Sequence, residues 1–271
     1  MFNTFLVNVD ALNQQLDNDQ LIIIDLGQAK TYQQCHIPNA IHFDYSALIQ
    51  PKPPAMGAVP EPQKLAQIFG QLGITDDTHV IAYDDEGGAK AGRFLWSLAY
   101  LGHQKNYWLN GGLHAWMNGQ YPISQELFKP MSKQFTIHLN HNVVIDKDAI
   151  LTSLNDPNTM LLDCRAVVEY DGRKKFSRRG GHIPNAINID WLEFVDRNNN
   201  LCLKPRNVLL DLLASKDITP DKAVICYCQS HHRSSHTWSS LKSLGFENIK
   251  AYAHAWSEWG NSTDLPIENE T

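Results

Sequence analysis

Cys228 opens a short run, Gln229, Ser230, His231, His232 and Arg233, that follows an apolar stretch over 223–227 and precedes a helical one over 234–244. Backbone N–H groups at a strand-to-helix turn converge on an anion, and the helix N-terminus adds positive potential. A thiol placed there ionises below its free pKa of about 8.5, because the turn stabilises its thiolate. Arg233 and the two histidines add positive charge. Such a group does nucleophilic chemistry, attacking an electrophilic centre and carrying the product covalently. A cysteine at a strand end is otherwise a packed core thiol, and here the turn and the arginine argue against that fate.

Other residues of suitable type carry less. His231, His232 and His236 with Cys226 and Cys228 are metal-ligand types, but their spacing is not that of a finger or ribbon, so no metal and no cofactor is expected. Cys226 and Cys228 lie two apart on a strand and point to one side, which suits either a redox pair or, as expected here, a core thiol at Cys226. Tryptophans 96, 108, 116, 238, 256 and 259 are expected to fill cores and closing loops.

The elements that must position Cys228 are written twice. LIIIDLG and HIPNAIHFD in the first half return as MLLDCRA and HIPNAINID in the second, with identical HIPNA runs. Asp25 to His36 spans 11 residues and Asp163 to His182 spans 19, so the second copy carries an eight-residue basic insertion there, mostly GRKKFSRR. Val80 lies 44 residues after His36 and Val224 lies 42 after His182, which keeps VIAYD in register with VICYC. Trp116 lies 32 residues after Asp84, and Trp259 lies 31 after Cys228. His36 and His182 are expected to fasten a turn in both copies.

Apolar runs over 21–24, 79–83, 160–162 and 223–227 read as buried strands, and segments 64–72, 93–101, 208–214 and 234–244 as helices. Gly73, Gly102 and Gly245 are placed as helix-ending residues. The alternation predicts an α/β fold: two tandem domains, each a mainly parallel sheet flanked by helices on both faces, with ligands outside the carboxyl ends of the strands. The expected domains are 1–122 and 144–271, with residues 123–143 as a linker that wraps the surface.

The 271 residues suffice for two cores, and no apolar run approaches the roughly 20 residues that span a bilayer. The N-terminus lacks the pattern of an export signal, and five scattered cysteines argue for reduced thiols, so a cytoplasmic location is expected. A formal net charge of −6 without a long basic block offers nucleic acid or an anionic membrane no evident docking surface.

In register and repeated, Asp163-Cys164-Arg165, HIPNA, VICYC-QSHHRS and the closing Trp256-Ser257-Glu258-Trp259-Gly260-Asn261 resemble the tandem two-domain rhodanese family over almost the whole chain. The resemblance implies a ping-pong sulfurtransferase: an anionic donor gives its outer sulfur to Cys228, and the persulfide passes it to cyanide, a small thiol or a protein thiol such as thioredoxin. Loop amides would cradle the persulfide. Asp84 stands where Cys228 stands, and a carboxylate is expected to be unwelcome in an anion cradle, so the first domain should be inactive and act as a buttress. Cys228 to Arg233 counts six residues, against the seven of cysteine phosphatases, which disfavours a phosphatase; the retained cysteine and arginine disfavour a non-catalytic binding module.

The loop is neither the Cys-Arg-Lys-Gly-Val-Thr of thiosulfate enzymes nor the Cys-Gly-Ser-Gly-Val-Thr of mercaptopyruvate enzymes. By resemblance Arg165 contacts the donor's anionic group, and Arg233 is a bidentate donor for a sulfonate or carboxylate. His231 and His232 are read as attracting an anionic donor when protonated, or else as pointing to solvent. Arg173, Arg178 and Arg179 form either a cationic rim or a solvated charge run. Thiosulfate is the favoured donor and 3-mercaptopyruvate the alternative.

Overall fold

The apolar runs become parallel strands, since a segment apolar on both faces is satisfied only with cover on each side. The computed structural model describes residues 2–269. Five strands, β1 (Leu6–Val7), β2 (Leu21–Asp25), β3 (Ala40–His42), β4 (His79–Tyr83) and β5 (Asn106–Leu109), form one sheet in the order β1-β5-β4-β2-β3. A second sheet contains β6 (Thr159–Asp163), β7 (Ile187–Asn188), β10 (Ala223–Tyr227) and β11 (Ile249–Ala251) in the order β11-β10-β6-β7. All neighbours in both sheets run parallel. A two-stranded antiparallel ribbon pairs β8 (Val195–Asp196) with β9 (Cys202–Leu203).

Helices connect the strands: α1 (Val9–Asn13), α2 (Ala29–Gln34), α3 (Pro62–Gln71), α4 (Ala89–Tyr100) and α5 (Gly112–Asn118) in the first repeat. The second repeat has α6 (Lys147–Ser153), α7 (Val167–Tyr170), α8 (Arg206–Ala214), α9 (Arg233–Ser243) and α10 (Ala255–Trp259). The expected helix-ending residues Gly73, Gly102 and Gly245 have φ of 79°, 89° and 85°, the left-handed region that glycine enters at no steric cost.

The HIPNA runs do the same work in each repeat. The N–H groups of Ile37 and Ile183 donate to the hydroxyls of Tyr83 and Tyr227, both at 3.2 Å, tying the turn to the end of the central strand. His36 stacks on Tyr32 and bonds its carbonyl through Nδ1, and His182 repeats this with Tyr170. The tryptophans close cores as expected: Trp116 packs with Ile23, Ile81 and Leu109, and Trp256 and Trp259 pack with Leu161, Ile225 and Tyr252.

The chain divides into two units that are not contiguous in sequence. Residues Met1–Leu48, Pro60–Asn140 and Val195–Leu203 form the first, and Ile49–Val59, His141–Phe194 and Lys204–Thr271 the second. This differs from the expected division in two ways. Residues 123–140 belong to the first unit, held by bonds from the N–H groups of Lys133, His138 and Asn140 to carbonyls of Gly70, Leu101 and Tyr100. Each repeat also lends a segment to the other unit, and each segment begins 13 residues after its HIPNA histidine, at Ile49 after His36 and at Val195 after His182.

The lent segment Ile49–Val59 is closed by its own bond from the N–H of Gln50 to Ala58 O, and Met56 N–H donates to Ser257 Oγ at 3.0 Å. Gly57 lies against the Cys228 loop so closely that a Cβ there would stand 2.4 Å from Ser230 O and 2.6 Å from Ala253 O. Both are backbone atoms, so the loop itself would have to shift. Gly57→Ala is therefore expected to slow iodoacetamide alkylation of Cys228 about tenfold at neutral pH, equivalent to roughly one pKa unit, while the helix content stays unchanged by circular dichroism. An unaltered alkylation rate would show that this segment does not hold the loop.

Candidate active site

Cys228 follows directly on Tyr227, the last residue of β10, and α9 begins five residues later at Arg233. It is 1% exposed. The carbonyls of Cys228 and Gln229 accept from the N–H groups of Trp256 and Ser257 at 2.9 and 3.0 Å, so the closing motif clamps the loop's entry. The loop then turns sharply at His231, which has φ 56°. This turn directs the backbone N–H groups of Ser230 and Ser234 to the sulfur. Burial pushes the Cys228 thiol up, but the Arg233 guanidinium, the Ser234 hydroxyl and these two amides outweigh it and leave its pKa below the ordinary value.

Arg233 acts on the sulfur by charge rather than as an open fork. Its Nη1 and Nη2 donate to Oε2 and Oε1 of Glu169 in α7 at 2.5 and 2.9 Å. The expected bidentate seat for a sulfonate is thus taken by a carboxylate of the chain itself. Burial pushes the Glu169 carboxyl up, and the bonds and charge of Arg233 more than offset this, holding it below the usual carboxylate range. Sequence reasoning missed Glu169. Its signal was that the second copy alone has both groups, Thr31 and Ala89 standing in register with Glu169 and Arg233.

Arg165 is held more deeply. It is 1% exposed, and its Nε and Nη2 donate to both carboxylate oxygens of Asp163 while Nη2 also reaches Gly181 O at 2.7 Å. Its guanidinium lies 4.4 Å from the Trp256 ring centroid. The Asp-x-Arg pair is therefore an internal fastening that ties the end of β6 to the residue preceding His182.

His231 is fully buried, with Nδ1 at 2.8 Å from Ser234 Oγ, so its ring does not face solvent. His232 is half-buried and precedes α9. Gln229 Nε2 donates to Ser177 Oγ at 3.2 Å, and Ser177 Oγ reaches Trp256 O at 3.3 Å, which sets the basic insertion beside the loop. Within that insertion Arg179 donates to the carbonyls of Leu265 and Trp259, and Arg173 pairs with Asp171, while Arg178 remains exposed. Cys226 is fully buried beside Cys164, whose thiol is pushed well up by burial and by Cys226. That environment is a core one. Among the described residues no group of three His, Cys, Asp or Glu could hold a metal ion.

The first repeat's loop explains what the anion cradle requires. Asp84 is 3% exposed, and its Oδ1 accepts from the N–H groups of Glu86 and Gly88 at 3.0 and 2.7 Å, its Oδ2 from Ala91 at 2.9 Å. The carboxylate is accommodated by these amides, but burial still pushes its pKa up, so the expectation that its charge is unwelcome there holds in direction.

With this geometry in place, the comparisons agree. The rhodanese-like domain model matches residues 8–119 and 146–262, and the chain belongs to that family. A thiosulfate sulfurtransferase of Azotobacter vinelandii is 38% identical over 95% of this chain and 94% of its own length. A 3-mercaptopyruvate sulfurtransferase of Escherichia coli K12 is 30% identical over 99% of both. Among solved structures, wild-type EanB superposes with a TM-score of 0.88 at 22% identity, covering 98% of this chain and 69% of that one, which speaks to the fold. The chain is a sulfurtransferase of the tandem rhodanese kind. Among the described residues no helix is long and apolar enough to cross a membrane.

Two outcomes follow from the two arginines. Arg165→Ala leaves Asp163 buried without its counter-charge and is expected to cost about 3–5 kcal/mol in urea unfolding; a donor contact would instead raise KM at an unchanged midpoint. Glu169 has a lowered folded pKa, so its stabilisation is full above the unfolded value of about 4.3 and is lost as pH falls through the folded one. The Tm of Glu169→Gln should accordingly lie below that of the unaltered chain at pH 7 and converge on it in acid. Parallel Tm curves would show that the Glu169–Arg233 pair contributes no pH-dependent stability.

Proposed function

We propose that the chain moves sulfane sulfur from thiosulfate to a thiophilic acceptor through a persulfide on Cys228. The observation that carries this reading is the buried Cys228 sulfur, which has Ser230 and Ser234 amides and the Arg233 charge around it and a pKa held below the ordinary thiol value. The Cys228 thiolate attacks the outer sulfur of thiosulfate; a new S–S bond forms, the donor's S–S bond breaks, and sulfite leaves with the electron pair. An acceptor then attacks the outer sulfur of the persulfide and releases the Cys228 thiolate. With cyanide the product is thiocyanate, and a small thiol or a protein dithiol such as thioredoxin would take the same sulfur as a persulfide. The unit containing Asp84 takes no part in transfer, because its cradle is already filled by a carboxylate.

Thiosulfate is favoured over 3-mercaptopyruvate because relatives bearing the thiosulfate name, from Azotobacter vinelandii and Pseudomonas aeruginosa, are 38% and 37% identical, against 30% for the mercaptopyruvate enzyme of Escherichia coli. The mercaptopyruvate reading keeps one structural support: with the Arg233 fork engaged by Glu169, the loop presents less free cationic charge than a dianion would prefer. The absence of long basic blocks and the odd set of free thiols support action in the cytoplasm rather than at nucleic acid or an anionic membrane.

Steady-state rates with each donor and cyanide, with mass spectrometry of the protein after donor incubation, test the reading. The expected result is a higher kcat/KM for thiosulfate and one added sulfur, 32 Da by chemical composition, on the peptide containing Cys228. Cys228→Ser is expected to lose both the rate and the added mass, and Cys226→Ser to keep most of them. A persulfide found on Cys226 or Cys164 would overturn the assignment.

A further inference from the structure

Two hydrogen bonds of the Cys228 loop share one hydroxyl. Ser234 Oγ lies 3.5 Å from Cys228 Sγ and 2.8 Å from His231 Nδ1, and all three residues are 1% exposed or less. The left-handed backbone at His231 is what brings its ring back onto the first turn of α9. We propose that Ser234 and His231 form a proton relay for the Cys228 thiol, His231 being the group that holds the proton while the sulfur is anionic. This rests on Cys228 being the sulfur carrier.

A serine hydroxyl has one proton, so the two contacts cannot both be served by donation from Ser234. With Cys228 as a thiol, S–H donates to Ser234 Oγ and Ser234 donates to an unprotonated Nδ1. When the thiol ionises, its proton passes to Oγ as the S–H bond breaks, and the serine's own proton passes to Nδ1. The hydroxyl now donates to the sulfur, the imidazolium Nδ1–H donates to the hydroxyl, and the total charge is unchanged. With the sulfur only 1% exposed, an internal acceptor gives its proton a short path that does not cross the loop.

The same hydroxyl has a use in the second half-reaction. When an acceptor attacks the outer sulfur, the S–S electron pair returns to Cys228 Sγ, and Ser234 donates to that leaving thiolate. Around the sulfur from other elements lie Cys164, just past β6, and, acting through Arg233, the carboxylates of Glu169, Asp163 and Asp190. Ser234, by contrast, hydrogen-bonds the sulfur directly. His231 is accordingly a positioning and proton-holding residue that touches the sulfur only through Ser234.

The experiment measures iodoacetamide alkylation of Cys228 against pH and single-turnover discharge of the persulfide by cyanide. Ser234→Ala is expected to move the alkylation midpoint upward and slow discharge about tenfold, the effect of losing one hydrogen bond to a charged group. Ser234→Thr, which keeps the hydroxyl, should stay within about threefold. His231→Asn tolerates the left-handed backbone and can still donate to Ser234, but it cannot hold a proton. Its discharge should stay near normal, while its alkylation profile moves to higher pH and titrates as a single group. A His231→Asn profile superimposed on the unaltered one would overturn the relay, and so would a Ser234→Thr protein as slow as Ser234→Ala. Alkylation needs no sulfur donor, so a protein that never forms a persulfide would refute the sulfur-carrier reading separately, through the missing mass.

Discussion

A sulfur anion that is 1% exposed must be neutralised by the groups packed around it, since water is not there to do so. That requirement organises the second unit. Backbone amides of Ser230 and Ser234, the Ser234 hydroxyl and the charge of Arg233 converge on one atom, and each is held by something further out. Trp256 and Ser257 clamp the carbonyls of Cys228 and Gln229, and Glu169 anchors Arg233. Gly57 lets the lent segment lie directly on Ser230. The amides then need no reorganisation when charge moves onto or off the sulfur.

The two repeats solve the same electrostatic problem with different anions. In the first, Asp84 accepts from three amides and the loop is complete within itself. A carboxylate is not a sulfur nucleophile, and this one is already held by its own chain. In the second, the group in the cradle is the Cys228 thiol, whose pKa is held below the ordinary value. Burial pushes the Asp84 carboxyl up despite the amides of Ala91, Glu86 and Gly88, whereas Cys228, with an arginine charge besides, comes out lowered. The added cation separates the two outcomes.

Both loop-side arginines are engaged by carboxylates of the chain. Arg165 is wholly internal and joins the strand end to the HIPNA turn. Arg233 keeps 22% of its side chain exposed and so still projects charge toward the sulfur and whatever approaches it. A guanidinium held by a carboxylate fork is fixed in position, which suits a group whose task is to tune one neighbour's charge.

The repeat, the alternation of strands and helices, the six-residue loop after β10 and the absence of a nucleophile at Asp84 were all legible in the chain, because each is a local pattern of residue type and spacing. Strand ends and helix starts follow from periodicity, and a cysteine between them inherits the local field of amides and helix N-terminus. What a side chain spends its hydrogen bonds on is a different matter. Glu169 meets Arg233 across 64 positions, and Gly57 meets Ser230 across a still longer span, distances over which no periodicity carries information. The buried orientation of the His231 ring depends on one backbone angle of 56° that a histidine does not announce. The lending of 49–59 and 195–203 between units was equally hidden, since a segment's sequence does not name the sheet it packs on. The chain alone singled out Cys228 as the candidate nucleophile, because that reading depends on neighbours in sequence; the tertiary structure decided which charges reach it, because those depend on neighbours in space.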